Sequence, residues 1–122
     1  VGVFTTCHVV CRPTRAEAER DYHRYAVELE DTESVDLYMK GKATHSGSHD
    51  AESYRSHRAR FAAGGGTYPL VGTPEEIAEE MVRMHEAVFA GTTVSLLNFR
   101  DELPGFCESV LPLLREAGLR KG

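Results

Sequence analysis

A chain of 122 residues that is 41% hydrophobic and 27% charged can build one globular core but is too short for two, and it fits neither disordered nor fibrous composition. Lys+Arg total 14 against Asp+Glu 19, a formal charge of -5, so the chain as a whole offers no electrostatic grip on nucleic acid or an anionic membrane. No apolar run approaches the ~20 residues that cross a bilayer, and Val1-Gly2-Val3-Phe4 lacks the basic segment of a secretory signal, so a cytoplasmic protein is expected. Residue one is not Met and already stands in an apolar run, which predicts a chain that starts inside a longer protein.

The run Val3 to Cys11 is too continuously apolar and β-branched for a one-sided strand, and reads as a strand buried on both faces of a parallel sheet. Thr14 follows as a helix cap, with Glu17 placed to complete a capping box. The helix is expected to run to about Glu30, with Ala18, Tyr22, Tyr25, Ala26 and Leu29 on one stripe. From Asp31 to Gly66 lies an excursion expected to hold one short helix, about Ala51 to Ala63, between polar pieces at Lys40–Asp50 and Ala62–Gly66. Leu70-Val71-Gly72 is a second short strand, and Thr73-Pro74-Glu75-Glu76 starts its helix with a cap, a proline at the first position and a capping glutamate. Ile77, Met81, Met84 and Val88 face inward there, and Gly91 is the expected stop. Thr92 to Phe99 is a third strand, Asp101 the expected cap of the closing helix, and Leu103, Phe106, Val110, Leu113, Leu114 and Ala117 its inner face. Pro112 should kink or divide that helix, because its ring displaces the carbonyl four residues back. Three strand-then-capped-helix units in tandem imply an α/β fold with parallel strands and right-handed crossovers.

Chemistry-bearing residues are few. Cys7 and Cys11 stand four apart in a strand, about 13 Å at ~3.3 Å per residue, too far for a disulfide, so reduced thiols are expected. Six histidines are present; His45, His49 and His57 could be imagined around zinc, but Ser46-Gly47-Ser48 breaks the helical spacing, and solvated loop histidines are the preferred reading, with no metal. His8 differs, because it shares strand parity with Phe4, Thr6, Val10 and Arg12, and a buried imidazole must find a partner or line a wet cavity. Gly64-Gly65-Gly66 matches no phosphate-loop pattern, and a flexible connector or a glycine-rich flap are the readings left open.

The stretch Val3-Phe4-Thr5-Thr6-Cys7-His8-Val9-Val10-Cys11-Arg12-Pro13-Thr14 resembles the C-terminal third of the bacterial-luciferase-like flavin monooxygenases. So do the run Gly66 to Glu79 with its Leu-Val-Gly-Thr-Pro-Glu core and the ending Leu111-Pro112-Leu113-Leu114. The resemblance covers most of the chain apart from the histidine loop. It implies the last three β/α units of a (β/α)8 TIM barrel, so that residues 1–122 are a partial barrel domain with a flap insertion at about 31–66. Such barrels need ~250 residues, so the full enzyme would exceed this chain.

The branch it resembles is the alkanesulfonate and dimethyl-sulfone monooxygenases, which implies reduced FMN as cofactor, with a reduced deazaflavin as the alternative in other branches. His8 matches the histidine of that branch's Arg-x-His pair, while Thr6 stands in place of the arginine. Arg60 is the nearest arginine to the glycine-rich flap, and Phe99 occupies the place of a tyrosine after the last strand, beside Asn98. The resemblance thus implies His8 as catalytic and Thr6, Arg60, Asn98 and Phe99 as substrate- or flavin-binding. The implied reaction oxidises a small, uncharged organic substrate, an organosulfur compound among the candidates, with O2. A flavin reductase supplying reduced FMN and a homo-oligomeric parent are the implied partners, and the fragment is expected to be inactive alone. A deazaflavin-dependent reductase and a self-contained, non-enzymatic α/β binding module are the alternatives.

Overall fold

The computed structural model describes residues 2–45 and 51–120. Elements follow in the order β1 (Val3–Cys11), α1 (Arg15–His23), a π-helical turn (Arg24–Glu28), α2 (Thr32–His45), α3 (Ala51–Gly64), β2 (Tyr68–Gly72), α4 (Pro74–Ala87), β3 (Phe89–Ser95), α5 (Phe99–Ser109) and α6 (Leu111–Glu116). All pairing is parallel, in the order β2-β1-β3. β1 is therefore central: its upper half pairs with β2 from Cys7 opposite Tyr68 to Cys11 opposite Gly72, and its lower half with β3 from Val3 opposite Phe89 to His8 opposite Ser95. β1 pairs with its successor β2, as successive staves of a barrel wall do, whereas β3 lies on the other edge of β1 and does not pair with β2.

Alternation along β1 decides what each face meets. Cys7 and Val9 point to one side, where they join Leu70, Ile77, Ala78, Met81, Leu96, Phe106, Val110 and Leu114 in the core beneath α4, α5 and α6. His8 and Val10 point the other way and are buried too, but Phe4 on that face is 70% exposed. The expectation of burial on both faces thus holds for Cys7–Val10 and fails lower down, where nothing among the described residues covers Phe4.

Helix starts follow the local rules. Thr14 Oγ1 accepts from the Glu17 amide, and at Thr73 the capping box closes in both directions with Glu76. Val110 divides the last helix just before Pro112, as the missing amide requires. Several boundaries depart from the sequence reading. Asn98, not Asp101, caps α5; its side chain accepts from the Asp101 amide. β3 spans Phe89–Ser95 instead of Thr92–Phe99, because α4 already ends at Ala87 and Gly91 is a strand residue. A Cβ at Gly91 would stand 2.8 Å from the Phe4 ring, so this glycine makes room for a cross-strand aromatic and is no helix stop. Val88, Leu103 and Leu29, expected inside, are exposed.

The excursion is more helical than composition suggests. Lys40 to His45 continue α2, and Ala62, Ala63 and Gly64 close α3, leaving Gly65 and Gly66 at φ +68° and +90° to turn the chain into β2. Tyr38 stacks on Phe61 at 3.8 Å between ring centres, and Arg58 bridges Glu30 and Asp36, which joins α2 and α3. No described helix is long and apolar enough to cross a membrane.

Candidate functional site

The site is built around the face of β1 that carries His8 and Val10, opposite the core on Cys7 and Val9. His8 is 2% exposed, three residues below the strand's end at Cys11. Its Nε2 lies 2.6 Å from the Tyr25 hydroxyl, with the rings edge to face at 5.6 Å. Nδ1 is buried and has no hydrogen-bond partner. Burial holds the imidazole below its usual pKa, opposed by the nearby Glu102 charge, so neutral histidine is favoured. Burial, aided by Glu102, pushes the Tyr25 phenol well up, so it stays protonated.

Tyr25 reaches His8 through the π-helical turn. The Leu29 amide donates to the Arg24 carbonyl at 2.8 Å, a five-residue ring that widens the helix by one residue. Above this pair, Arg12 closes the end of β1. Its Nε donates to Asp21 at 2.7 Å, and a terminal nitrogen donates both to Glu102 at 2.9 Å and to the Cys11 carbonyl. One guanidinium thus ties the strand end to α1 and to α5, with the carboxylates answering its planar fork.

The other expected site residues divide. Thr6 is on the same face of β1 as His8, but exposed. Arg60, on α3, donates to the carbonyls of Thr67 and Gly66 and stands 5.7 Å from the Tyr68 ring centre. Thr6 and Arg60 share a recess of about 450 Å³ with Tyr68, Glu80 and Arg83, a lining that does not include His8. Asn98 is committed to the start of α5: its amide group donates to Asp101 and its backbone N–H to Glu102. Phe99, expected at the end of the last strand, opens α5 and is exposed. Both corrections have one cause, the early end of β3 at Ser95. His49, from the zinc reading, lies outside the described residues, as does the His45 side chain.

In the sequence Tyr25 belongs to a buried stripe and Arg12 shares the His8 parity, but no pattern there joins either to His8 as a site. Glu102 was not singled out. The available signal was the coincidence of a phenol stripe with a buried strand histidine across one tight connection. The cysteines carry no disulfide, and burial raises the Cys7 and Cys11 thiols, which keeps both poor nucleophiles.

The arrangement suits one end of a flavin better than the other. A buried imidazole nitrogen without a partner is a ready contact for the polar edge of a ring system. A phosphate, in contrast, meets occupied helix starts at α4 and α5: Glu76 occupies that of α4 and pairs with Arg15, and Asp101 and Glu102 occupy that of α5. The residues around His8 therefore fit contact with the ring portion of FMN better than with its phosphate.

No family model and no curated protein matches the sequence. Solved structures do match. Riboflavin lyase RcaE, crystallised with modified FMN and its substrate riboflavin, superposes at a TM-score of 0.65 with 25% identity, over 99% of this chain and 32% of its own. DmoA from Hyphomicrobium sulfonivorans gives 0.66 and 18% identity over 96% of this chain and 30% of its own. The long-chain alkane monooxygenase LadA gives 0.61 and 19% identity over 97% of this chain and 29% of its own. The chain spans about a third of the length of these proteins. Their likeness to it, together with parallel strands and capped crossover helices, gives the chain the fold of a partial TIM barrel of the luciferase-like flavin monooxygenases.

Proposed function

We propose that this chain is part of a reduced-flavin-dependent monooxygenase that oxidises a small, uncharged organic molecule with O2. The observation that carries the reading is His8: an imidazole buried on the central strand, favoured neutral, and with Nδ1 unpartnered. The bound flavin supplies the redox chemistry, and the protein supplies orientation and exclusion of water. His8 holds a polar atom of flavin or substrate. Arg12, neutralised by Asp21 and Glu102, is not free to bind a sulfonate, and Thr6 brings no charge to the same face. An uncharged organosulfur compound fits this lining better than an alkanesulfonate. Thr6 and Arg60, in their shared recess, form a second contact area on the β2 side. Reduced FMN delivered by a partner reductase is the favoured cofactor.

The test is His8→Ala in the full-length protein that carries this chain. Turnover should fall by about 10²-fold, the scale of losing one preorganised hydrogen-bond donor, with little change in melting temperature. Unchanged turnover would remove His8 from the site. Parallel absorbance titrations with reduced FMN and with a reduced deazaflavin decide the cofactor.

A further inference from the structure

The hydrogen bond between His8 and Tyr25 has two possible directions, and they leave different debts. A neutral imidazole has one N–H and one lone pair, and a phenol has one proton to give. If His8 Nε2–H donates to the Tyr25 oxygen, the phenol proton and the Nδ1 lone pair both lack partners, because no other hydrogen bond of the Tyr25 hydroxyl is present among the described residues. If Tyr25 O–H donates to Nε2, the groups left over are an Nδ1–H that is buried and unpaired and the phenol oxygen's lone pairs. The numbers left over are equal, but a phenol is the stronger donor and an imidazole lone pair the stronger acceptor, so the second arrangement joins the two strongest groups in the short 2.6 Å contact and leaves the weak phenol lone pairs over.

The backbone supports a dedicated role for the phenol. A regular helix continued from α1 would carry residue 25 onward at 3.6 residues per turn, whereas the wider turn at Arg24–Glu28 shifts the register just where Tyr25 sits. Such single π turns cost hydrogen-bond geometry and recur at functional positions. Tyr22 packs edge to face on Tyr25 at 6.0 Å between ring centres.

We propose that Tyr25 is a positioning residue that donates its phenol proton to His8 Nε2 and locks His8 in the Nδ1–H form, so that His8 presents a hydrogen-bond donor to an electron-rich acceptor. That acceptor is a carbonyl oxygen or an anionic ring nitrogen, the chemistry on the polar edge of a reduced isoalloxazine. The identity of the acceptor rests on the flavin reading above; the tautomer does not. His8 is then a donor that stabilises charge building on its partner, and no base that removes a proton. Free histidine prefers the opposite tautomer, Nε2–H, so without the phenol the preference should revert.

The experiment is nitrogen NMR on the full-length protein labelled with 15N-histidine, the His8 signals being assigned by their loss in His8→Gln. In the native protein the Nδ1 signal should carry the protonated, pyrrole-type shift and Nε2 the unprotonated one. In Tyr25→Phe the two should exchange or average, while Tyr22→Phe leaves them in place. A native spectrum with protonated Nε2 overturns the proposal, and so does an unchanged pattern in Tyr25→Phe. If Tyr25→Phe fails to fold, the native spectrum alone decides. A separate titration with reduced FMN keeps the two readings apart. The Nδ1–H form without flavin binding refutes the flavin reading and sustains the tautomer. Binding with the Nε2–H form does the reverse.

Discussion

Burial of His8 should make stability depend on pH in a way that one substitution removes. The imidazole is held below its ordinary value of 6.5 by desolvation, with the Glu102 charge pulling in the other direction. Between the folded value and 6.5 the unfolded chain therefore binds a proton that the folded chain refuses. The stability of the native state is complete above that window and is lost as pH falls through it toward the folded value. One proton sets the limiting slope, at most about 1.4 kcal/mol per pH unit. His8→Gln keeps a polar partner for Tyr25 but cannot titrate. Urea unfolding of the full-length protein and its His8→Gln variant, across roughly pH 5 to 8, reads the difference. The two curves should run parallel above about pH 6.5, and the native protein should lose ground to the variant below it. Parallel curves throughout would refute the reasoning, since His8 would then meet the same environment folded and unfolded. Glu102→Gln, which removes the charge that favours the imidazolium, should extend the loss to lower pH.

Three substitutions test packing and backbone. Ile77→Ala empties the centre of the core between α4 and the sheet, where Ile77 is 1% exposed, and should cost about 2–5 kcal/mol by urea unfolding. Gly65→Ala should cost roughly 1–2 kcal/mol because Gly65 sits at φ +68°. Gly105→Ala, inside α5 with open space around a built Cβ, should gain about 0.5–1 kcal/mol on the same measurement.

Elements with strong local chemistry were readable. β1 was bounded at Val3 and Cys11 by its apolar run, and Thr73-Pro74 with Glu76 marked the start of α4 through capping alone. Pro112 marked the division of the last helix. The failures came where tertiary contacts outweigh local preference. Gly91 reads as a helix stop in isolation, yet its lack of a side chain serves Phe4 on the neighbouring strand. Lys40 to His45 read as coil from polarity, but Val35, Met39 and the Tyr38–Phe61 stack give α2 a surface to pack on α3. The strand order was hidden for the same reason, because pairing of β1 with β3 depends on which edges meet in space. Of the site, His8 was legible from strand parity. Tyr25 was legible only as a buried ring, since no sequence rule announces a π turn.

The two carboxylates on Arg12 are not equivalent: the Glu102 side chain is 16% exposed and that of Asp21 38%. Water and salt reach the outer contact first, although at 2.7 Å it is the shorter of the two. A swing of α1 away from the strand end would open at Asp21 while Glu102 kept the guanidinium in place. The cover above His8 is thus fastened like a door with a latch on one side and a hinge pin on the other, ready to reclose on the same seat.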